Sequence, residues 1–389
     1  MSANLSANLS VKSTKLIEEL WQIPALDQHA HNLLKPEALA RYPYSAFFSV
    51  SGQSDRFATE TLFYRRSIRD IAELLDCSPT EQAILARREN LGLESLSELC
   101  FSKANLEAVF LDDGFLTNEI LPVEWHKKIL PAYRVLRLEK LAETLIPQAL
   151  SFDKFLEEFR SAIDPPPPGV VAFKSIAAYR SGLKIEPVPK QEAASSFYVI
   201  KKTLAEQPLY LRDKFLIDFL VLQGLEIAAK HKIPVQFHTG FGDRDLDLRL
   251  ASPLHLRPIL EDSRYRQAPI VLLHGSYPFS REASYLASAY ERVYLDFGLA
   301  VPFLSVSGMR STLAMLLEVA PIAKIMYSSD AHLIPELYYL AAKWGRSVLA
   351  GVLEQAVCDG DLTAGEVETV AIAILRDNAR SLYSLAFEF

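Results

Sequence analysis

The chain has 389 residues, half of them hydrophobic and fewer than a quarter charged, enough to bury a large core as one big domain or two smaller ones. Its 41 basic residues face 48 acidic ones with no dense basic run, which excludes the concentrated positive surface that a nucleic-acid partner requires. Three cysteines, Cys77, Cys100 and Cys358, are odd in number and far apart, so the composition reads as that of a reducing compartment, the cytoplasm, without a disulfide framework or a cysteine zinc set.

Residues 1–20, "MSANLSANLSVKSTKLIEEL", repeat the word SANL and lack the apolar stretch of a signal peptide, which predicts a flexible tail running into the start of a helix. No run of about eighteen apolar residues follows, so no membrane span is expected. Residues 21–389 read as a single domain. Eight short apolar runs of strand character occur in it: "IPALDQHAH", "LEAVFLDD", "YRVLRLE", "GVVAFKSI", "IPVQFHTG", "APIVLLHG", "RVYLDFG" and "AKIMYSSD". Stretches of helical periodicity separate them, the pattern of a parallel α/β fold, and eight such units predict a (β/α)8 TIM barrel. Two excursions are long. Residues 32–104 predict a helical insertion over the barrel mouth, with Ser78 capping a helix, Pro79 in its first turn and Glu81 completing a capping-box spacing. A second helical insertion is expected after strand four, from about 176 to 230, while "DPPPPG" at 164–169 reads as a rigid spacer before that strand.

Polar residues stand where several apolar runs stop. His29 and His31, at i and i+2 on a strand, would share one face, and paired imidazoles suit a borderline cation such as zinc. His238 ends strand five, His274 strand six and Asp330 strand eight, the donor types that a catalytic divalent site uses. Lys174, at the end of strand four, points inward if that strand alternates. Asp330 also stands where a helix N-cap would, because "SSDAHLIPELYYLAAKWG" reads as a helix start. Around this mouth, Arg180 offers a planar grip for a carboxylate or a structural salt bridge. His255, Asp243, Tyr277 and Arg281 are further candidates for substrate contact. In "AIAILRDNARSLYSL", Asn378 and Tyr383 read as structural.

The order HxH, Lys, His, His, Asp resembles the amidohydrolase superfamily, of the amidohydrolase 2 type. More narrowly, "AFKSIAAYRSGL", "VQFHTGFGD", "LLHGSYPFSREASYLA" and "YSSDAH" resemble the amidohydrolase-like domain that precedes glutamine-synthetase-like domains in fungal developmental regulators and plant nodulin-type proteins, across most of residues 20–386. The synthetase half has no counterpart in these 389 residues. The resemblance implies a metal-dependent hydrolase that cleaves an amide or related C–N bond of a small carboxylate-bearing, glutamate-related substrate. It implies His29, His31, Lys174, His238, His274 and Asp330 as metal ligands, with Asp330 and His274 also catalytic. The cofactor would be one or two divalent ions, zinc foremost, with manganese or iron as alternatives. Lys174 would either bridge two ions as a carbamate or stay protonated beside one ion and hold substrate carboxylate. A decarboxylase or isomerase on the same barrel and a non-catalytic regulatory protein are the other readings. The expected partner is a small molecule, with no nucleic acid or membrane, and the oligomeric state is left open.

Overall fold

The computed structural model describes residues 15–50, 56–204 and 209–384. The expected tail falls largely on residues 1–14, outside that set, and residues 15–21 are helical. Eight parallel strands pair in chain order: β1 (Ala25–Ala30), β2 (Leu106–Asp112), β3 (Ala132–Arg137), β4 (Val170–Ser175), β5 (Val235–Phe237), β6 (Ile270–Leu272), β7 (Val293–Asp296) and β8 (Ile325–Met326). The ring draws together between its first and last members. Gln28 N–H donates to the Tyr327 carbonyl, and just beyond the strand ends Asp330 N–H donates to His29 O and His31 N–H to Ala331 O. The predicted TIM barrel is the observed fold.

Two cores follow from strand alternation. Leu26, Phe110, Val135, Ala172, Val271 and Met326 fill the barrel interior, and Ala379 and Tyr383 of the C-terminal helical segment plug its lower end. The opposite strand faces, with residues such as Val109, Phe173, Val235 and Leu295, pack outward on the helices. The ligand-type side chains gather at the upper rim, above a few buried polar residues of the interior such as Gln28 and Gln236. No helix among the described residues is long and apolar enough to cross a membrane.

The first insertion differs from expectation. Its long helices, α1 (Leu62–Leu75) and α2 (Glu81–Ala104), lie on the barrel's flank rather than over its mouth. They pack on the helix after β8, Pro335–Asp359. Arg88 pairs with Glu336, Trp344 Nε1 donates to Asp70, and Phe101 meets Tyr338 edge to face. Asn105 alone separates α2 from β2, so α2 is the crossover helix that any parallel β-β connection needs. Among the described residues of this insertion, only the stretch 42–50 reaches the mouth. The cap also shifts. Thr80, not Ser78, caps α2 by accepting from Ala83 N–H, which leaves Pro79 and Ser78 in the preceding turn. After β4, helices α3 (Lys190–Thr203) and α4 (Lys214–His231) form the second excursion, and α4 crosses over to β5.

Candidate metal centre and active site

His29 and His31 bring their rings to 5.2 Å between centroids, both with Nε2 turned toward one oxygen, Asp330 Oδ1, at 3.1 and 3.3 Å. What stands behind each ring fixes its proton. His29 Nδ1 is 2.8 Å from Gln236 Oε1, and His31 Nδ1 is 3.0 Å from the Asp112 carbonyl. Both partners only accept, so Nδ1 carries the hydrogen and, in the neutral ring, Nε2 bears a lone pair. Burial, reinforced by the Lys174 ammonium, pulls His29 down to about 4, so its ring is neutral at pH 7. Burial alone would raise Asp330, but the surrounding imidazoles outweigh it and hold the carboxyl well below the usual range. Two ring nitrogens and a carboxylate oxygen thus converge, and among the described residues Asp330 Oδ1 makes no hydrogen bond of good geometry. Such a set of nitrogen and oxygen atoms suits a cation.

The other two histidines form a relay beside it. His238 Nε2 is 3.1 Å from the Phe241 carbonyl, and its Nδ1 is 2.9 Å from His274 Nε2. The carbonyl requires His238 to carry its hydrogen on Nε2, so His274 donates to His238 Nδ1 and keeps a lone pair on its own Nδ1. That atom is buried, unpartnered and 3.8 Å from Asp330 Oδ2. Burial keeps both rings far below the normal histidine range, hence neutral. His274, rather than His238, therefore presents a free ring nitrogen beside Asp330; His238 has both nitrogens occupied and reaches the cluster through its neighbour. The donor chemistry fits a divalent ion, with His29, His274 and Asp330 converging as one set and His29, His31 and Asp112 as another, His31 also reaching Asp330.

Backbone strain marks the same residues. His274 and Asp330 adopt φ of 68° and 50°, left-handed values that cost a non-glycine residue on the order of 1 kcal/mol or more. Asp330 is not a helix cap, because the following helix starts only at Pro335 with Ile334 at its N-cap. Lys174 is buried on the inner face of β4, with Nζ 3.4 Å from His29 Nε2 and its ammonium pulled down to about 8 by burial.

Beneath the ligands lies a polar floor. Gln236, whose oxygen orients His29, donates from Nε2 to the Gln28 carbonyl, to Gln28 Oε1 and to the Tyr383 hydroxyl, and that hydroxyl donates to Gln28 Oε1. Gln28 Nε2 in turn reaches Asp296 at 2.6 Å. Supporting groups of this kind fix ligand tautomer and typically change metal affinity about 10- to 100-fold when lost. Gln236→Leu is accordingly expected to weaken zinc binding by about that factor in a chelator competition, Tyr383→Phe by less, and Gln236→Glu, which still accepts from His29, to recover most of it. Unchanged affinity in Gln236→Leu would show that the amide does not set the His29 tautomer.

A cavity of about 600 Å³ opens above the cluster. Arg180 lines it, but its guanidinium is committed to Glu143 at 3.1 Å, to the Leu211 carbonyl and to the Tyr210 ring face, 3.3 Å away, so the salt-bridge reading describes it. Asp243 lines the cavity too, and its N–H donates to the Tyr179 hydroxyl. The other three expected contacts do not line it. His255 faces the Arg249 carbonyl in a 3-10 turn, Tyr277 packs edge-on against Phe241, and Arg281, in the first turn of the helix after β6, pairs with Glu318 on the exterior. In each case the residue follows a site histidine or its loop in sequence, but the chain has already turned outward. Missed in the sequence were His332, whose Nδ1 is 3.1 Å from the Asp330 carbonyl and which stacks on Phe303, and Tyr179, packed 4.5 Å from His238. Their signal was adjacency to Asp330 and Lys174. Arg137 was missed as well: it ends β3 and clamps the Asp112 carboxylate behind His31, a buried pair whose disruption typically costs about 3–5 kcal/mol.

Barrel and cluster together define a (β/α)8 protein with a metal-ligand constellation at its C-terminal mouth, the architecture of metal-dependent hydrolases. The sequence model of the Amidohydrolase family matches residues 201–385. The fluG protein of Emericella nidulans is 30% identical over 93% of this chain, which spans 46% of that protein's length. A Lactobacillus casei structure assigned provisionally as a metal-dependent hydrolase superposes with a TM-score of 0.85 at 28% identity, covering 95% of this chain and 97% of that one. A uronate isomerase from Thermotoga maritima shares the fold at a TM-score of 0.66 and 15% identity, over 96% and 97% of the two chains. The chain belongs to the amidohydrolase superfamily.

Proposed function

We propose that this protein is a metal-dependent hydrolase of the cytoplasm that cleaves an amide or related C–N bond in a small carboxylate-bearing molecule. One observation carries the reading: the Nε2 atoms of His29 and His31 converge at 3.1 and 3.3 Å on the buried, unpartnered Asp330 Oδ1. His29, His31, Asp330 and His274 would hold the ion, and zinc suits that nitrogen and oxygen set, as manganese and iron also do. When bound, such an ion lowers the pKa of water toward neutrality and polarises a carbonyl. The chain's own groups do the rest. Asp330 is ionised and can take the proton that a nucleophilic water must lose. Asp330 can then pass that proton to the departing nitrogen, while His274, hydrogen-bonded to His238 through Nε2, keeps Nδ1 for the ion. The apolar and aromatic cavity walls exclude bulk water around these steps.

Elemental analysis of gently purified protein, paired with a screen of small amides by mass spectrometry, tests the proposal. One or two divalent ions per chain and release of an amine with its carboxylate are the expected results. A metal-loaded protein that transforms carboxylates without breaking a C–N bond would replace the hydrolase with a decarboxylase or isomerase. Failure to bind any divalent ion would leave a regulatory barrel.

A further inference from the structure

The cavity has two chemically distinct halves, and they follow the order of strands around the ring. Over the adjacent loops of β7, β8, β1 and β2 the wall is largely apolar, built by Phe47, Phe115, Leu299, Phe303 and Leu333. Over β3, β4 and β5 it is polar, with Ile176 the single aliphatic side chain. Most charges in that polar half already have partners: Arg137 is held by Asp112, Arg180 by Glu143, and Asp245 accepts from Tyr210 at 2.8 Å. Apart from Lys174, whose ammonium lies against His29 at the cluster itself, two do not. Among the described residues, the Arg244 guanidinium and the Asp243 carboxylate enter no ion pair, although they are neighbours in the chain and both line the cavity. The loop that carries them lies close to the cluster because Gly242 has no side chain; a Cβ there would sit 2.0 Å from the Tyr179 hydroxyl and 2.9 Å from His238 Nε2. The metal cluster stands at the seam between the halves.

We infer that the substrate is the side-chain amide of an acidic amino acid whose amine half is apolar and of aryl size. One unpaired cation beside one unpaired anion matches a free α-carboxylate on Arg244 and an α-ammonium on Asp243, which leaves the amide to the amino acid's side chain. The pair sits on the loop of His238, one ring behind His274, so the spacer to the scissile carbonyl is short, as in aspartate or glutamate, and not the long stem of lysine. The departing amine then falls on the Phe47–Phe115–Phe303 side, where an aromatic ring is buried against aromatic walls. In the reaction water's oxygen bonds to the carbonyl carbon, the C–N bond breaks, and the water's proton goes to the amine. This deepens the hydrolase reading and rests on it.

Three probes separate the halves: γ-glutamyl-4-nitroanilide has both, L-glutamine lacks the apolar half, and 4-nitroacetanilide lacks the charged one. With zinc-loaded protein, kcat/KM for the first should exceed either of the others by about 100-fold, the order expected from one buried ring or one charge-paired group. Arg244→Gln, a change at an exposed position, should raise KM for both zwitterionic probes and leave 4-nitroacetanilide untouched. Phe303→Ala should raise KM for the nitroanilide and leave glutamine unchanged. Equal rates on all three, or a preference for a single-half probe, would overturn the inference while the hydrolase stands. If none is cleaved, the hydrolase reading fails, and calorimetric titration of the same probes decides this one. Tighter binding of the two-half probe supports it, and binding no tighter than that of glutamine overturns it.

Discussion

Asp330→Asn is expected to lower kcat by about 10²- to 10⁴-fold, the range a positioned proton acceptor contributes, and to weaken metal binding at the same time. The substitution is chosen for the backbone. Asp330 sits at φ 50°, and asparagine is among the few residues that occupy this region readily, so the fold should survive and the loss will be chemical. The amide keeps a carbonyl oxygen toward His29 and His31 but has no charge to hold the ion and no affinity for a water proton. Progress curves on a cleaved amide, beside elemental analysis of the same preparation, read both effects. Full activity with full metal would remove Asp330 from the chemistry and leave it a structural rim residue.

Lys174 decides how many ions the barrel holds, and Lys174→Ala is expected to reduce the metal content from two per chain to one. A buried ammonium 3.4 Å from the His29 lone pair has no carboxylate partner at hydrogen-bond distance. Reaction of the neutral amine with carbon dioxide would turn that charge into a carbamate anion, with loss of one proton, and give a bridging pair of oxygens. His274 Nδ1, buried and unpartnered, is placed to complete a second site. Metal content and activity should therefore rise with added bicarbonate in the wild type and not in the variant. A single ion per chain in bicarbonate-supplemented, metal-replete protein would instead make Lys174 a cationic anchor for substrate and His274 an acid or base.

Residues bound to one strand were readable from the sequence; residues brought together by turns were not. Alternation predicted that His29 and His31 share a face and that Lys174 points inward, because period two is a local property of a strand. Apolar runs located all eight strands for the same reason. The excursion 32–104 misled because periodicity gives a helix but not the surface it lies on: α2 packs on the flank, and among the described residues of the excursion it is 42–50 that line the mouth. Tyr277 and Arg281 follow His274 closely in sequence, yet left-handed residues at His274, Gly275 and Ser276 turn the chain away from the cavity. A run of positive φ has no signature in residue types as ordinary as these. The protons on the imidazoles were equally hidden, since they depend on Gln236, the Asp112 carbonyl and the Phe241 carbonyl, each distant or backbone.

The polar floor under His29 sets an order in time as well as in space. The HxH pair is made before Gln236, Gln236 before Asp330, and Tyr383 after all of them. Until the helical turn that carries Tyr383 docks, the glutamine that holds His29 in its metal-binding tautomer lacks one of its anchors. A nascent chain therefore carries the two histidines before the groups that orient them, and the centre is complete only when Tyr383 reaches Gln236 and Gln28 beneath it.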